Sequence, residues 1–244
     1  MSSPLIIAHA TAAGERPANT LAGVGASLAS ADAMEIDLRL CADGFPVLLH
    51  DDFLDRTTNL DGPVREVPFV DLARADAGGG EHVPSLAEVL DLVSGRITVM
   101  CELKVAPEHP EEGEALLEAT LEAIHSHRAE SWVALHSFDH SLVERARSLA
   151  PRIDTAAIVS STEAGSLNGL CDRAAQQGVG AISLFHAAVG RESVEMVRSR
   201  GMRLWAWTAD TPHDWGRLSK SGVDGIITNQ PYALRVWTQS QASA

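Results

Sequence analysis

The stretch whose reading decides the fold runs from Ala33 to Asp52, AMEIDLRLCADGFPVLLHDD. Side chains alternate faces along a strand, so Met34, Ile36, Leu38 and Leu40 share one face while Glu35, Asp37 and Arg39 share the other. The apolar face meets covering helices, which points the acidic face into a barrel, toward the C-terminal strand ends where barrel enzymes place their active sites. After the turn signal at Ala42–Gly44, the run Phe45–Asp52 returns as the second strand of a hairpin.

Seven further apolar, β-branched runs flank this segment: 5–9, 97–104, 132–138, 153–159, 180–185, 203–208 and 224–228. Each is separated from the next by a helix-compatible stretch. With Met34–Leu40 they make eight βα units, which predict a closed (β/α)8 TIM barrel of parallel strands, an open doubly wound sheet being the runner-up. The exception to the regular spacing, roughly residues 41–85, is read as a β-hairpin and loop inserted after strand two and lying over one barrel mouth. Asn19 or Thr20 caps the first predicted helix, Ser85 a later one, and Ser141 opens another that Pro151 stops.

The 244 residues suit one such barrel, which typically needs about 250, so a single domain over 1–244 is expected. Apolar residues at 45% can build a large core. The 33 acids against 19 bases leave a charge of −14, a field that repels nucleic acid and anionic lipid surfaces and requires any anionic substrate to be captured locally. Cys41, Cys101 and Cys171 are odd in number and in no CxxC spacing, which fits neither a disulfide framework nor a zinc site. No membrane span, no signal peptide and a cytoplasmic location are expected.

Within the strand 97–104, the inward positions are Glu102 and Lys104, beside Glu35 and Asp37. Three carboxylates converging inside a barrel repel unless a cation joins them. All-oxygen ligation suits Mg²⁺ or Ca²⁺, with Mn²⁺ a further candidate. The bland alternative pairs the acids with Arg39 and Lys104 as wall-lining ion pairs. His9 and His50 end two strand-like runs at the same mouth, and an imidazole titrating near pH ~6.5 serves as general acid or base.

His9, the Pro17–Asn19–Thr20 segment, MEIDLRLCADGFPVLLHDD, DRTTNLDG (55–62), CELK (101–104), HSFD (136–139), WAWTAD (205–210) and GVDGIITNQP (222–231) occur in an order that resembles the glycerophosphodiester phosphodiesterase family across nearly the whole chain. The resemblance implies that Glu35, Asp37 and Glu102 are the metal ligands and that His9 and His50 are the catalytic histidines. It further implies that Lys104 lies near the phosphate and that Trp207 lies near the alcohol end of the substrate. Arg39 and His136, also on inward faces, complete the candidate substrate contacts; for His136 taken alone, a satisfied core histidine is the favoured reading.

Two charges of the family pattern are absent. Where the family reads HRG and PENT, this chain reads HAT and PANT, with Ala10 in place of the arginine and Ala18 in place of the glutamate. Either Arg16, Arg39 or Arg56 replaces the lost cation, or the vacated space admits a bulkier or differently charged diester. The expected activity is metal-dependent hydrolysis of a small glycerophosphodiester-like molecule to an alcohol and a phosphomonoester. The alternatives are a lyase releasing a cyclic phosphate and a non-catalytic binding barrel.

Overall fold

The computed structural model describes residues 3–242. Nine strands are present among them: β1 (Leu5–Ala8), β2 (Ala33–Leu40), β3 (Pro46–Leu48), β4 (Thr98–Leu103), β5 (Val133–Ser137), β6 (Asp154–Val159), β7 (Ala181–Phe185), β8 (Arg203–Trp207) and β9 (Gly225–Thr228). Every strand except β3 pairs parallel with its neighbours, and β1 bonds to both β2 and β9, which closes an eight-stranded barrel. The eight predicted runs are these eight strands. The antiparallel β3 attaches outside the ring to β2, through Leu38–Leu48, Arg39–Val47 and Leu40–Pro46, which is the predicted inserted hairpin.

Helices α1 (Leu21–Ser30), α2 (Phe69–Leu72), α3 (Leu86–Val93), α4 (Glu112–Ser126), α5 (His140–Leu149), α6 (Leu167–Gln176), α7 (Arg191–Arg198), α8 (Pro212–Ser221) and α9 (Pro231–Ala242) follow in order. Thr20, not Asn19, caps α1 by accepting from Gly23 N–H, and Ser85 caps α3 in a reciprocal box with Glu88. The α5 cap is Asp139 rather than Ser141: its carboxylate accepts from Ser141 N–H at 3.0 Å and Leu142 N–H at 3.3 Å, and an anion at a helix N-terminus is favoured by the helix dipole. No helix among the described residues is long and apolar enough to cross a membrane.

Strand alternation sorts the apolar residues into three cores. Ile6, Met34, Ile36, Leu38, Val99, Cys101 and Leu103 face outward into a large cluster shared with the helices. Ile7, Ala33, Met100, Ala134, Ala156, Ala181, Trp205 and Ile227 fill the barrel interior. Trp205 takes so much of that space that a Cβ on Gly225 would lie 2.9 Å from its ring and 2.8 Å from Ile7, so only glycine fits the wall there. The insertion has a small core of its own, built on Cys41, Val47, Leu49, Leu54, Val64, Leu72 and Val83, so it packs as a structured flap.

Candidate active site

The β2–β4–β5 register sets Asp37 beside Glu102 and Glu102 beside His136, one row across three adjacent strands. Glu35 lies one inward position lower on β2. All four side chains are buried, with Asp37 at 0% and Glu102 at 6% exposure. Glu35, Glu102 and His136 each offer a ligand atom within 4.8 Å of the other two. Asp37 stands outside that group and is held by other residues. Asn19 Nδ2 donates to its Oδ2 at 2.7 Å, its backbone N–H donates to Asn19 Oδ1 at 3.1 Å, and Lys104 Nζ lies 3.1 Å from its Oδ1.

Lys104 also reaches Glu102 Oε1 at 2.7 Å. Both ammonium contacts are close but not aligned as hydrogen bonds, and Glu35 Oε1, Asp37 Oδ1 and Glu102 Oε1 are all buried without an aligned donor. One ammonium therefore faces three carboxylates. Burial pushes the Glu102 carboxyl up against the pull of Lys104, and the charge of Asp37 adds to the rise. For Asp37, burial opposes ionisation, but Lys104 and the two histidines outweigh it and hold the carboxyl low. Orphaned carboxylate oxygens in a dry site are the donor chemistry a hard cation satisfies.

His136 departs from the expectation of a satisfied core histidine. It is 2% exposed, and neither ring nitrogen has a hydrogen-bond partner. Its Nε2 lies 3.7 Å from Glu35 Oε1. An imidazole buried with both nitrogens free is a donor waiting for a partner, so the available ligand set is mixed, two carboxylates and one imidazole.

His9 follows β1 directly and opens a tight turn whose next three residues, Ala10, Thr11 and Ala12, all have positive φ, at 42°, 58° and 67°. Left-handed backbone without glycine is strained by about 1–2 kcal/mol per residue, and such strain persists where surrounding contacts impose it. Here the turn aims Ala10 N–H at Glu35 Oε2, 2.8 Å away. His9 Nδ1 meets Asn229 Oδ1 at 2.8 Å, and Asn229 Nδ2 in turn donates to Asp210 Oδ2 at 2.7 Å. Because the amide nitrogen is committed to Asp210, the oxygen faces the ring, so Nδ1 carries the proton and Nε2 faces the carboxylates. Burial works to lower the His9 pKa, yet Glu35, Asp37, the Asn229 contact and Glu102 together raise it.

His50, two residues beyond β3, is half exposed, and its Nδ1 lies 2.7 Å from Asp51 Oδ1. Asp51 also pairs with Arg56. Arg39 does not reach the cavity: its Nε donates to the His50 carbonyl at 3.0 Å and its Nη1 lies 3.5 Å from Asp52, so it fastens the flap to the barrel. Arg16 is exposed and donates to the Glu15 carbonyl.

A cavity of about 200 Å³ brings His9, His50, Glu35, Glu102, Lys104 and His136 together with Phe138 and Trp207. Trp207 donates to the Ser183 carbonyl at 2.9 Å and stacks edge-on with Phe138 at 5.5 Å and Phe185 at 5.6 Å, an apolar wall opposite the carboxylates. Of the sequence candidates, the cavity gathers all but Asp37, which Lys104 connects to it, and Arg39. The sequence did not reveal Asn229 as the partner of His9 or Asp210 behind it; of the two residues offered as the α1 cap, Thr20 takes that place and the Asn19 side chain secures Asp37; both asparagines sit in the quoted segments.

The family model for the glycerophosphoryl diester phosphodiesterase family matches residues 9–233. A glycerophosphodiester phosphodiesterase of Caldanaerobacter subterraneus subsp. tengcongensis is 30% identical over 94% of this chain and 96% of its own length. One from Bacillus subtilis is 30% identical over 93% of this chain and 84% of its own. The structure of an Oleispira antarctica phosphodiesterase in complex with the product sn-glycerol-3-phosphate superposes with a TM-score of 0.87 at 25% identity, covering 97% of each chain.

Proposed function

Because the chain belongs to the glycerophosphoryl diester phosphodiesterase family, we propose that it hydrolyses a small glycerophosphodiester, in one catalytic domain, with a bound divalent cation and the pair His9 and His50 as acid and base. The reading is carried by the meeting of His9 and His50 with the under-satisfied Glu35–Glu102–His136 group in one cavity. Glu35, Glu102 and His136 would hold the ion, with the adjoining Asp37, beside Glu102 in the register, as a further ligand. Mg²⁺, Ca²⁺ and Mn²⁺ are the candidate ions. When bound, the cation polarises the phosphoryl group and neutralises charge on its oxygens.

This chain's own residues do the rest. Asn229 keeps the His9 proton on Nδ1, which leaves Nε2 to exchange a proton with a reacting oxygen. Asp51 orients the His50 ring in the same way, so one imidazole takes the nucleophile's proton and the other protonates the leaving alkoxide. Lys104, between Asp37 and Glu102, supplies a fixed positive charge to the phosphate. Phe138 and Trp207 exclude water from the opposite wall and receive the carbon skeleton of one alcohol. The three cysteines are free and buried, which supports a reducing, cytoplasmic setting.

A panel of glycerophosphodiesters incubated with each ion, with and without chelator and beside Glu102→Gln, tests the reading; phosphorus NMR of the products separates a phosphomonoester from a cyclic phosphate. Cleavage that chelator and the substitution both suppress is expected. Cleavage indifferent to both removes the metal mechanism.

A further inference from the structure

A second cavity, about 240 Å³, adjoins the first, and His9 and His50 line both. Its other walls are Ala10, Ala13, Ala18 and Leu49, with Asn19 and Asp37 on one side and Arg56 and Thr57 from the flap on the other. The charged and amide groups here are already engaged, Asp37 Oδ1 through its ion pair with Lys104 rather than a hydrogen bond. Asn19 and Asp37 bond to each other, Arg56 is paired with Asp51, and His9 with Asn229. Asp37 Oδ1 and Thr57 Oγ1, which lack hydrogen bonds, are themselves buried, so the surface left for a ligand is mainly alanine methyls and the Leu49 side chain. Arg56 thus stands near the space but, bound to Asp51, offers it no free positive charge.

A phosphodiester has two ester arms, and here two cavities diverge from one pair of histidines. We propose that the Ala10–Ala18 cavity binds the second ester arm and selects diesters whose second alcohol is compact, uncharged and largely apolar, while the first arm occupies the Phe138–Trp207 side. This rests on the phosphodiesterase reading above. Size and chemistry agree: an anionic arm meets Asp37 with no free cation to offset it, a cationic arm finds that carboxylate buried and already ion-paired to Lys104, and an apolar arm exchanges water for methyl contacts. The small side chains at positions 10, 13 and 18 keep this space open.

The test compares glycerol 3-phosphate diesters of methanol and of benzyl alcohol, two alcohols of similar acidity, so that leaving-group chemistry does not decide the result. With the wild-type chain and added metal, kcat/KM for the benzyl diester is expected to exceed that for the methyl diester by at least about tenfold, the discrimination that extra apolar surface provides in a fitted pocket. Ala18→Leu, at an exposed position, is expected to reduce that ratio at least fivefold; if circular dichroism shows Ala18→Leu misfolded, Ala18→Val is measured in its place. A wild-type ratio near one overturns the proposal, as does a high ratio unmoved in a folded variant. Failure to cleave either diester overturns the phosphodiesterase reading and this one with it, whereas cleavage without discrimination overturns this one alone.

Discussion

Asn229 Oδ1 lies 2.8 Å from His9 Nδ1 although 220 positions separate them in the chain. The contact exists because β9 and β1 are parallel neighbours, Thr228 beside Ala8, so the residues that follow the two strands emerge at the same mouth. Asp210, just past β8, holds the amide from behind.

Removing this support is expected to disorder the imidazole without removing it. Asn229→Ala should lower kcat by about 10- to 100-fold, less than the loss of an acid–base group, about 10²–10⁴-fold, with KM little changed. Asn229→Asp keeps an acceptor at Nδ1 but loses the donor to Asp210 and adds a negative charge beside it, so it should move one limb of the pH–rate profile upward. Steady-state kinetics across pH checks both; a profile identical in all three proteins counts against a positioning role.

Cation binding by the buried donor group should appear as stability. At a free ion concentration of 100 Kd, a ligand bound only by the folded state stabilises by about 2.7 kcal/mol, which for a chain of this size raises Tm by about 5–11 °C. Thermal melts in Mg²⁺, Ca²⁺ or Mn²⁺ against chelator measure it. Glu35→Gln should abolish the rise, and melts that no ion moves would remove the cation from the site.

The imidazole of His136 distinguishes ions. Nitrogen donors favour transition ions over alkaline-earth ones, so His136→Ala should weaken Mn²⁺ binding more than Ca²⁺ binding in calorimetric titrations. Equal losses would show that the ring stays outside the coordination shell.

Asp51 is held well below its ordinary value, to about 2, mainly by its bond to Arg56 and also by the one to His50, against a smaller opposing effect of burial. A carboxyl with a depressed folded-state pKa contributes stability that is present above its ordinary value of 3.8 and lost as pH falls through about 2. Carbon-detected NMR titration should place its midpoint near the lower figure, with Arg56→Ala raising it toward the ordinary value. The group is partly solvent-accessible, so added salt should narrow the difference.

Gly225→Ala tests the packing beneath the site. A methyl there meets Trp205 and Ile7 inside the barrel, and overpacking a well-filled interior costs about 1–3 kcal/mol. Urea unfolding should show a lower midpoint; an unchanged one would mean that the interior is looser than its contacts indicate.

How much of this was legible beforehand depends on the range of the interaction. The alternation in Glu35–Ile36–Asp37–Leu38 put the acids inside and the aliphatics outside, and the turn signal at Ala42–Gly44 located the hairpin, because strand faces and tight turns depend on a few consecutive residues. Arg39 shares the inward face of its strand, yet the flap captures it through Asp52 and the His50 carbonyl; facing direction alone could not reveal that competitor.

By itself, then, the chain's order of residues determined eight strands, their apolar and polar faces, and the set of histidines and acids gathered at one end of a barrel. The tertiary structure alone decided that Asn19 and Lys104 occupy Asp37, that His136 keeps two free nitrogens beside Glu35 and Glu102, that Asn229 sets the His9 tautomer, and that Ala10 and Ala18 leave a second cavity. Those outcomes depend on barrel closure and on register between distant strands. A space between side chains is a property of several segments at once, with no local pattern to announce it.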